Sequence, residues 1–415
     1  MKQSRSVEGR VRVSVRVVAF AVIAACVACR DVPQAPNPPA PPEPPAFAIA
    51  HVDHVNPLSD CCGLIAEPNL FVDGAGSVHL LYGAWDVGAV RYAGCAAACN
   101  AAGSWRIGEV DSSFLGIGDG GQMAAALTSS GIHLLYQSAT ANGQTALLSY
   151  GWCPGACYLK AAWQTRVIDT MADVLAEPGG ASAVLDAAGV LHAVYEAPSG
   201  LRYAECSLDC SNQGSWRFAT LDAPGTLATA TAIAVGGDGR VHVLYPQLRR
   251  GDTLSYATCA SACSDSANWQ LSGVFWAPAG AVRLPTSLSL AVGPDNRLHA
   301  LYVATQNLSN TAVLTYLSCA ANCASSSAWQ NLVLDTTRSG ASIAIGADGA
   351  AHVAYVNHGV RYARCGSACL SPGAWTRQPV DSTLGAWSLA IELDANGKPV
   401  IAMATSFDVY VALMR

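Results

Sequence analysis

Histidine and cysteine offer this chain its most versatile chemistry, and both recur in fixed surroundings. Six of the nine histidines, His79, His133, His192, His242, His299 and His352, each stand three residues before a tyrosine. So many imidazoles could ligate metals or relay protons. Either task needs groups that converge on one point, whereas these return once every 50 to 59 residues. A side chain copied at that interval is a structural part, hydrogen-bonding a turn or packing between sheets, and the pattern calls for no metal and no cofactor. Twelve of the sixteen cysteines behave alike. Cys95 and Cys99, Cys153 and Cys157, Cys206 and Cys210, Cys259 and Cys263, Cys319 and Cys323, and Cys365 and Cys369 form six Cys-x3-Cys pairs. Zinc would need two such pairs brought together, and these sit in separate repeats. Disulfides fit better. An extended strand holds residues i and i+4 about 13 Å apart, while a disulfide needs Cα atoms about 4.4–6.8 Å apart. The three residues between must therefore turn, which places each pair at a hairpin. Closing so short a ring contributes about 2 kcal/mol through lost chain entropy.

The groups left for ligand chemistry are those that break the repeat. Glu67, Trp85, Asp86, Asp119, Gln122, Glu177, Glu196, Arg249, Arg250, Trp276, Arg283, His358 and Trp387 fall outside its recurring positions. Exposed aromatics beside carboxylates and arginines suit a sugar or a peptide. A pair drawn from Glu67, Asp119, Glu177 and Glu196 could instead serve as acid and base in a glycoside hydrolase or lyase. That needs carboxyls about 5–5.5 Å apart for retention or about 6.5–9.5 Å apart for inversion. Nearly all of the fourteen tyrosines, and six of the ten tryptophans, belong to the repeat and count first as packing. No nucleophile motif, phosphate-binding glycine loop or dinucleotide fingerprint occurs.

The repeat must position these residues. Its first half is Asp-x-x-Gly-x-x-His-x-x-Tyr, as in DGAGSVHLLY (73–82) and DAAGVLHAVY (186–195). Looser copies lie at 129–136, 237–245, 294–302 and 347–355, and a degenerate one, DANGKPVIAM, at 394–403. Its second half is a Tyr strand, the cysteine pair and a Trp, as in RYAGCAAACNAAGSW (91–105). Each repeat holds four short apolar runs cut by Gly, Asp and Asn turns. Four strands at such a period are the plan of a β-propeller. The strand after each Trp runs on to Val-Asp or a relative, in WRIGEVD (105–111), WQTRVID (163–169) and WTRQPVD (375–381). FAIAHVD at 47–53 fits the same frame with Phe for Trp, and the last repeat reaches Arg415 after its third strand. The expected fold is all-β. It is a seven-bladed β-propeller over 47–415, with four antiparallel strands per blade, closed by the N-terminal strand completing the last blade. Such closure removes free sheet edges. Loops from second to third strand, and from fourth strand to the next blade, share one face, and the repeat-breaking residues are assigned to it.

The first 46 residues read differently. Lys2, Arg5, Arg10, Arg12 and Arg16 precede an apolar stretch, 17–28, of 12 residues. It is too short to span a bilayer and right for a signal peptide. Ile23-Ala24-Ala25-Cys26 resembles the bacterial lipobox. That resemblance implies a signal peptide at 1–25, acylation of Cys26, and anchoring in the outer membrane or at the cell surface. Cys29 is the second candidate, because lipid on Cys26 leaves Cys29 without a pairing partner. A linker at 26–46 follows. Eight of the fifteen residues at 32–46 are proline, which makes an extended stalk. Cys61 and Cys62 could close a vicinal ring, pair elsewhere or stay free. A net charge of −6 without a basic stripe argues against nucleic acid. An apolar content of 51% with 13% charged residues argues for a large core, and sixteen cysteines for an oxidising compartment. A monomer is expected.

The Asp-x-x-Gly-x-x-His-x-x-Tyr copies, each followed by a Tyr strand and a Trp strand, resemble the repeats of secreted bacterial propellers described as sialidase-like or BNR-like. The resemblance spans 47–415 and is one of pattern; it implies the fold. True sialidases have six blades, an Asp-box of the form Ser-x-Asp-x-Gly-x-x-Thr-Trp, three arginines for a carboxylate and a Tyr/Glu pair. This chain has seven repeats and no such box, and Arg91, Arg202 and Arg361 fall at recurring strand positions. The expected function is non-catalytic recognition of a glycan or a protein at the cell surface, or a scaffold there. A hydrolase or lyase using the loop-face carboxylates is the alternative.

Overall fold

The computed structural model describes residues 47–55, 65, 68–84, 87–113, 123–140, 145–170, 181–197, 199–207, 209–223, 230–247, 253–276, 287–305, 312–337 and 340–415. They contain 28 strands in seven four-stranded antiparallel sheets, with only one-turn 3-10 helices besides. Blades 1 to 6 span 69–111, 123–170, 181–222, 232–276, 287–337 and 341–381. Blade 7 joins 388–414 to the N-terminal strand Phe47–His54, which pairs antiparallel with Asp408–Met414. The first strand of each blade lies innermost, and the seven inner strands neighbour one another in a closed ring around a central channel. Second strands are buried on both faces, so they read as nearly continuous apolar runs. In His79-Leu80-Leu81-Tyr82, Leu80 and Tyr82 enter the core shared with blade 7, and Leu81 the core shared with blade 2.

Two devices tie most blades to the next. The Trp that opens a fourth strand donates its indole N–H to the carbonyl of the second cysteine, as Trp163 does to Cys157 at 2.8 Å. Its edge meets the third-strand Tyr of the preceding blade, with centroids 6.4 Å apart for Tyr92 and Trp163. Tyr150 and Trp216, Tyr203 and Trp269, Tyr256 and Trp329, and Tyr316 and Trp375 repeat this contact. In the composite blade Phe47 takes the place of Trp, on Tyr362 at 5.8 Å.

The second device uses a β-bulge. Fourth strands slip register just before their Val-Asp aspartate, as between the pairs Arg91–Glu109 and Val90–Asp111. Phe47–His54 does the same between His51 and Asp53. A bulge re-aims the side chains beside it, and here it turns the aspartate toward the next blade. Asp53 accepts a hydrogen bond from Tyr82 at 2.5 Å, Asp222 from Tyr245 at 3.0 Å and Asp335 from Tyr355 at 2.8 Å. Asp111 with Tyr136 and Asp169 with Tyr195 form the same pair. Arg91 adds an ion pair to Asp53 at 2.6 Å, and Arg202 one to Asp169 at 2.5 Å.

The six recurring histidines work inside the blades, as their spacing implied. His79 Nδ1 lies 2.8 Å from the Tyr92 hydroxyl, and the other five meet the third-strand Tyr of their own blades in the same way. In blade 7 both partners are lost together. Val400 and Val411 take their places and join the apolar core. The turn between first and second strands carries its Asp at either of two positions. Where Asp is third, the first residue is glycine for a steric reason: a Cβ on Gly236, Gly293 or Gly346 would fall 2.5, 2.8 or 2.5 Å from the Oδ1 of Asp238, Asp295 or Asp348.

All six Cys-x3-Cys pairs are disulfides at the hairpin between third and fourth strands, with Cα atoms 5.6 to 5.8 Å apart. This suits an oxidising compartment. Among the described residues no helix is long and apolar enough to cross a membrane. The residue before each second cysteine is left-handed, and at four sites it is alanine: Ala98, Ala156, Ala262 and Ala368, with φ from 50° to 54°. Glycine adopts that conformation without the Cβ penalty. Ala368→Gly is therefore expected to stabilise the fold by about 1 kcal/mol, the left-handed cost of a Cβ less the extra freedom glycine gives the unfolded chain, read from chemical denaturation. An unchanged or lower midpoint would show that the hairpin holds Ala368 without strain.

Candidate functional site

Of the set singled out from the sequence, Glu196, Trp276, His358 and Trp387 lie among the described residues. Glu67, Trp85, Asp86, Asp119, Gln122, Glu177, Arg249, Arg250 and Arg283 lie outside the described residues, as do Cys26, Cys29, Cys61 and Cys62. Trp276 ends the strand Gln270–Trp276. Glu196 is 7% exposed near the end of Leu191–Ala197. His358 sits in the turn of blade 6 with φ 50°, its Nδ1 2.6 Å from Asn357 Oδ1. Trp387 leads into blade 7, is 55% exposed, and donates its indole N–H to Ser406 Oγ at 3.1 Å. His358 and Trp387 thus reach one face from adjacent blades, whereas Glu196 is enclosed.

The central channel, about 380 Å³, is lined by alanines and serines together with larger aliphatic side chains such as Leu70, Leu288 and Ile391. Inner strands would leave backbone amides open along their free edges, and side chains of the preceding blade cap them. Asn69 Oδ1 accepts from Ala125 N at 3.1 Å, Ser182 Oγ from Ile233 N at 3.2 Å, Ser289 Oγ from Ile343 N at 3.1 Å, and Ser342 Oγ from Ile391 N at 3.3 Å. Among the described lining residues Glu392 is the charged one. Channel solvent reaches it, yet the surrounding strands penalise its charge, and against an opposing hydrogen bond at Leu393 they raise its pKa to about 7. A carboxyl with a raised folded-state pKa stabilises fully at low pH, and that stability is lost as pH climbs from the ordinary Glu range through the folded value. Glu392→Gln should match the parent near pH 4 and melt higher at pH 8. Identical melting at pH 8 would contradict this.

On the opposite face, clefts open between adjacent blades. The one between blades 1 and 2 has a volume of about 1040 Å³. Those between blades 2 and 3 and between blades 5 and 6 have about 700 and 400 Å³. Two departures from the repeat open the first. Blade 2 lacks the Asp turn: Thr128 takes the Asp place and pairs with Gly131 around Ser129 and Ser130, one residue fewer than lie between Asp73 and Ser77. Gly94 stands before the first cysteine of blade 1, where blades 2 to 6 carry Trp152, Glu205, Thr258, Ser318 and Arg364.

Polar groups line this cleft. Asp73 Oδ1 accepts the amides of Ala75 and Ser77 at 2.9 and 2.8 Å, while Oδ2 is only loosely engaged, 3.5 Å from His79 Nε2. Burial pushes the Asp73 carboxyl up, but hydrogen bonds from Ser77, His79 and Ala75 outweigh it and hold the pKa below the ordinary Asp value. The group is a carboxylate with acceptor capacity to spare. Tyr158 stands across the cleft. Arg106 of blade 1 donates to its hydroxyl at 2.9 Å and sits 5.0 Å from the ring centroid. Gly108 permits that approach, because a Cβ there would fall 1.9 Å from the Tyr158 carbonyl oxygen. Glycine inside a strand often marks such close backbone passage. Gly108→Ala is expected to push the blade 2 hairpin away, costing about 1–3 kcal/mol of stability and displacing Tyr158. Unaltered denaturation together with unaltered Tyr158 fluorescence would oppose it.

Carboxylate, guanidinium, phenol and the hydroxyls of Thr128 and Ser129 together can hold a neutral polyhydroxylated ligand. Asp73 is the one carboxylate among the described lining residues, so these residues contain no carboxylate pair. Tyr158 and, in the neighbouring cleft, Trp152 lie outside the set singled out from the sequence. The signal is nonetheless present: both stand where no other copy carries an aromatic.

No protein-family model matches the sequence, and no curated protein matches it. Solved structures share the fold. An α-L-arabinanase of Penicillium chrysogenum complexed with arabinobiose has a TM-score of 0.53 at 14% identity, covering 88% of this chain and 97% of that one. The α-L-arabinofuranosidase Arb93A of Fusarium graminearum reaches 0.54 at 10% identity, with 88% and 97% covered. The polysaccharide lyase Uly1 reaches 0.51 at 11% identity, with 88% and 92% covered. At such identities the likeness is one of fold.

Proposed function

We propose that this chain is a carbohydrate-recognition propeller, acting without catalysis and displayed outside the cell on a lipid anchor at Cys26. The observation that carries the reading is the cleft between blades 1 and 2, where an aromatic ring, a guanidinium and a spare carboxylate oxygen converge. Its volume lies at the upper end of the roughly 300–1,000 Å³ common for ligand sites. The fold neighbours named above act on glycans, which supports a glycan as the ligand class. A single carboxylate supports binding over hydrolysis, which generally uses two. The sialidase-like repeat pattern and the signal-like N-terminus support a surface role.

A glycan array probed with the full chain tests this. The parent is expected to bind a defined set of sugars. Tyr158→Ala should weaken that binding at least tenfold without lowering the melting temperature. Loss with Trp387→Ala and none with Tyr158→Ala would move the site to the loop face. A silent array, with new reducing ends released from polysaccharide, would favour the hydrolase.

A further inference from the structure

Resting on that glycan reading, we infer that the ligand is an oligosaccharide chain lying across two clefts at once, over the short turn of blade 2. The clefts on either side of blade 2 are continuous in their walls: Leu127, Thr128 and Ser129 line both. In blades 1 and 3 a four-residue Asp turn stands at this place. In blade 2 Thr128 takes the Asp place and pairs with Gly131 around only Ser129 and Ser130, so the turn is one residue shorter, carries hydroxyls in place of the carboxylate, and forms the saddle.

The chemistry on the two sides of the saddle is matched. The first cleft has Tyr158 and Asp73; the second has Trp152 and Asp186. Asp186 repeats the geometry of Asp73. Its Oδ1 accepts the amides of Ala188 and Val190 at 2.9 and 2.7 Å, and its Oδ2 lies 3.3 Å from His192 Nε2. Each carboxylate thus spends one oxygen on its own turn and holds the other toward a histidine at the limit of hydrogen-bond distance. Blade 2 contributes no Asp of its own here, so the saddle is flanked by two carboxylates and carries only hydroxyls. Aromatic rings stack on the apolar faces of sugar rings, and carboxylates accept from hydroxyl pairs. Two such units separated by a low polar ridge fit consecutive residues of one chain.

The test is calorimetric titration of the full chain with neutral xylo-, cello- and arabino-oligosaccharides of one to six units. For the series that binds, affinity is expected to rise at least tenfold between one unit and four. Trp152→Ala should abolish that rise. A second variant touches neither aromatic: Thr128-Ser129-Ser130 replaced by Asp-Gly-Ala-Gly, the turn of blade 1, which raises the saddle. It should abolish the rise with an unchanged melting temperature. Affinity independent of length, or a rise that survives both variants, overturns the inference while leaving glycan binding intact. Failure of every sugar, with an acidic or basic peptide bound in the same clefts, overturns the glycan reading as well.

Discussion

Asp53→Ala should lower the stability of the propeller by about 3 kcal/mol, near the lower end of the cost of breaking a buried ion pair. Asp53 lies on the closing strand, is 8% exposed, and binds both Tyr82 at 2.5 Å and Arg91 at 2.6 Å. Alanine leaves a phenol and a guanidinium without their shared acceptor, and Arg91 keeps enough exposure, 27%, to recover part of its hydration. The location amplifies the effect. Between blades 7 and 1 the usual aromatic contact is missing, because Val411 stands in the Tyr place and Trp105 packs with it and other aliphatics. Asp53 is thus a polar tie at the seam where the ring closes. Asp53→Asn, which keeps an acceptor, should cost less. Urea unfolding of both variants checks the order, and a loss under about 1 kcal/mol for alanine, within the range of an ordinary hydrogen bond, would mean that strand pairing alone holds the seam.

Trp163→Ala should cost about 3–5 kcal/mol, the usual range for truncating a buried aromatic, and should remove glycan binding with it. Trp163 is 7% exposed, anchors the hairpin through the Cys157 carbonyl, and meets Tyr92 of blade 1. That hairpin carries Tyr158. The two losses share one cause, so they should appear together. Trp163→Phe is the informative partner, since Phe47 performs the same packing in blade 7. It should retain most of the stability and most of the binding. Binding that survives Trp163→Ala at full strength would show that Tyr158 does not form the site.

The architecture was legible because a propeller writes each contact several times. His-x-x-Tyr, Cys-x3-Cys and Val-Asp could be aligned against one another without a relative, and Phe47 was recognisable as a Trp substitute by its frame. The Asp–Tyr ties were not legible. Asp111 and Tyr136 belong to different blades, and their meeting depends on a register slip that leaves no residue signature. The candidate site was harder still. Topology assigns the repeat-breaking residues to one face, whereas the clefts on the other arise from absences: no Asp turn in blade 2, no side chain at Gly94 or Gly108. An absence becomes a cavity only through what its neighbours do, and those neighbours sit in other blades. Tyr158 and Trp152 were hidden among repeat aromatics that serve the fold.

A crystal structure of the full chain grown with a bound neutral tetrasaccharide tests the assignment of the site most directly. Sugar density is expected between blades 1 and 2, with a ring against Tyr158, a hydroxyl on Asp73 Oδ2, and the chain continuing past Ser129 toward Trp152. Density confined to the Trp387 face, with both clefts beside blade 2 holding only solvent, would contradict it.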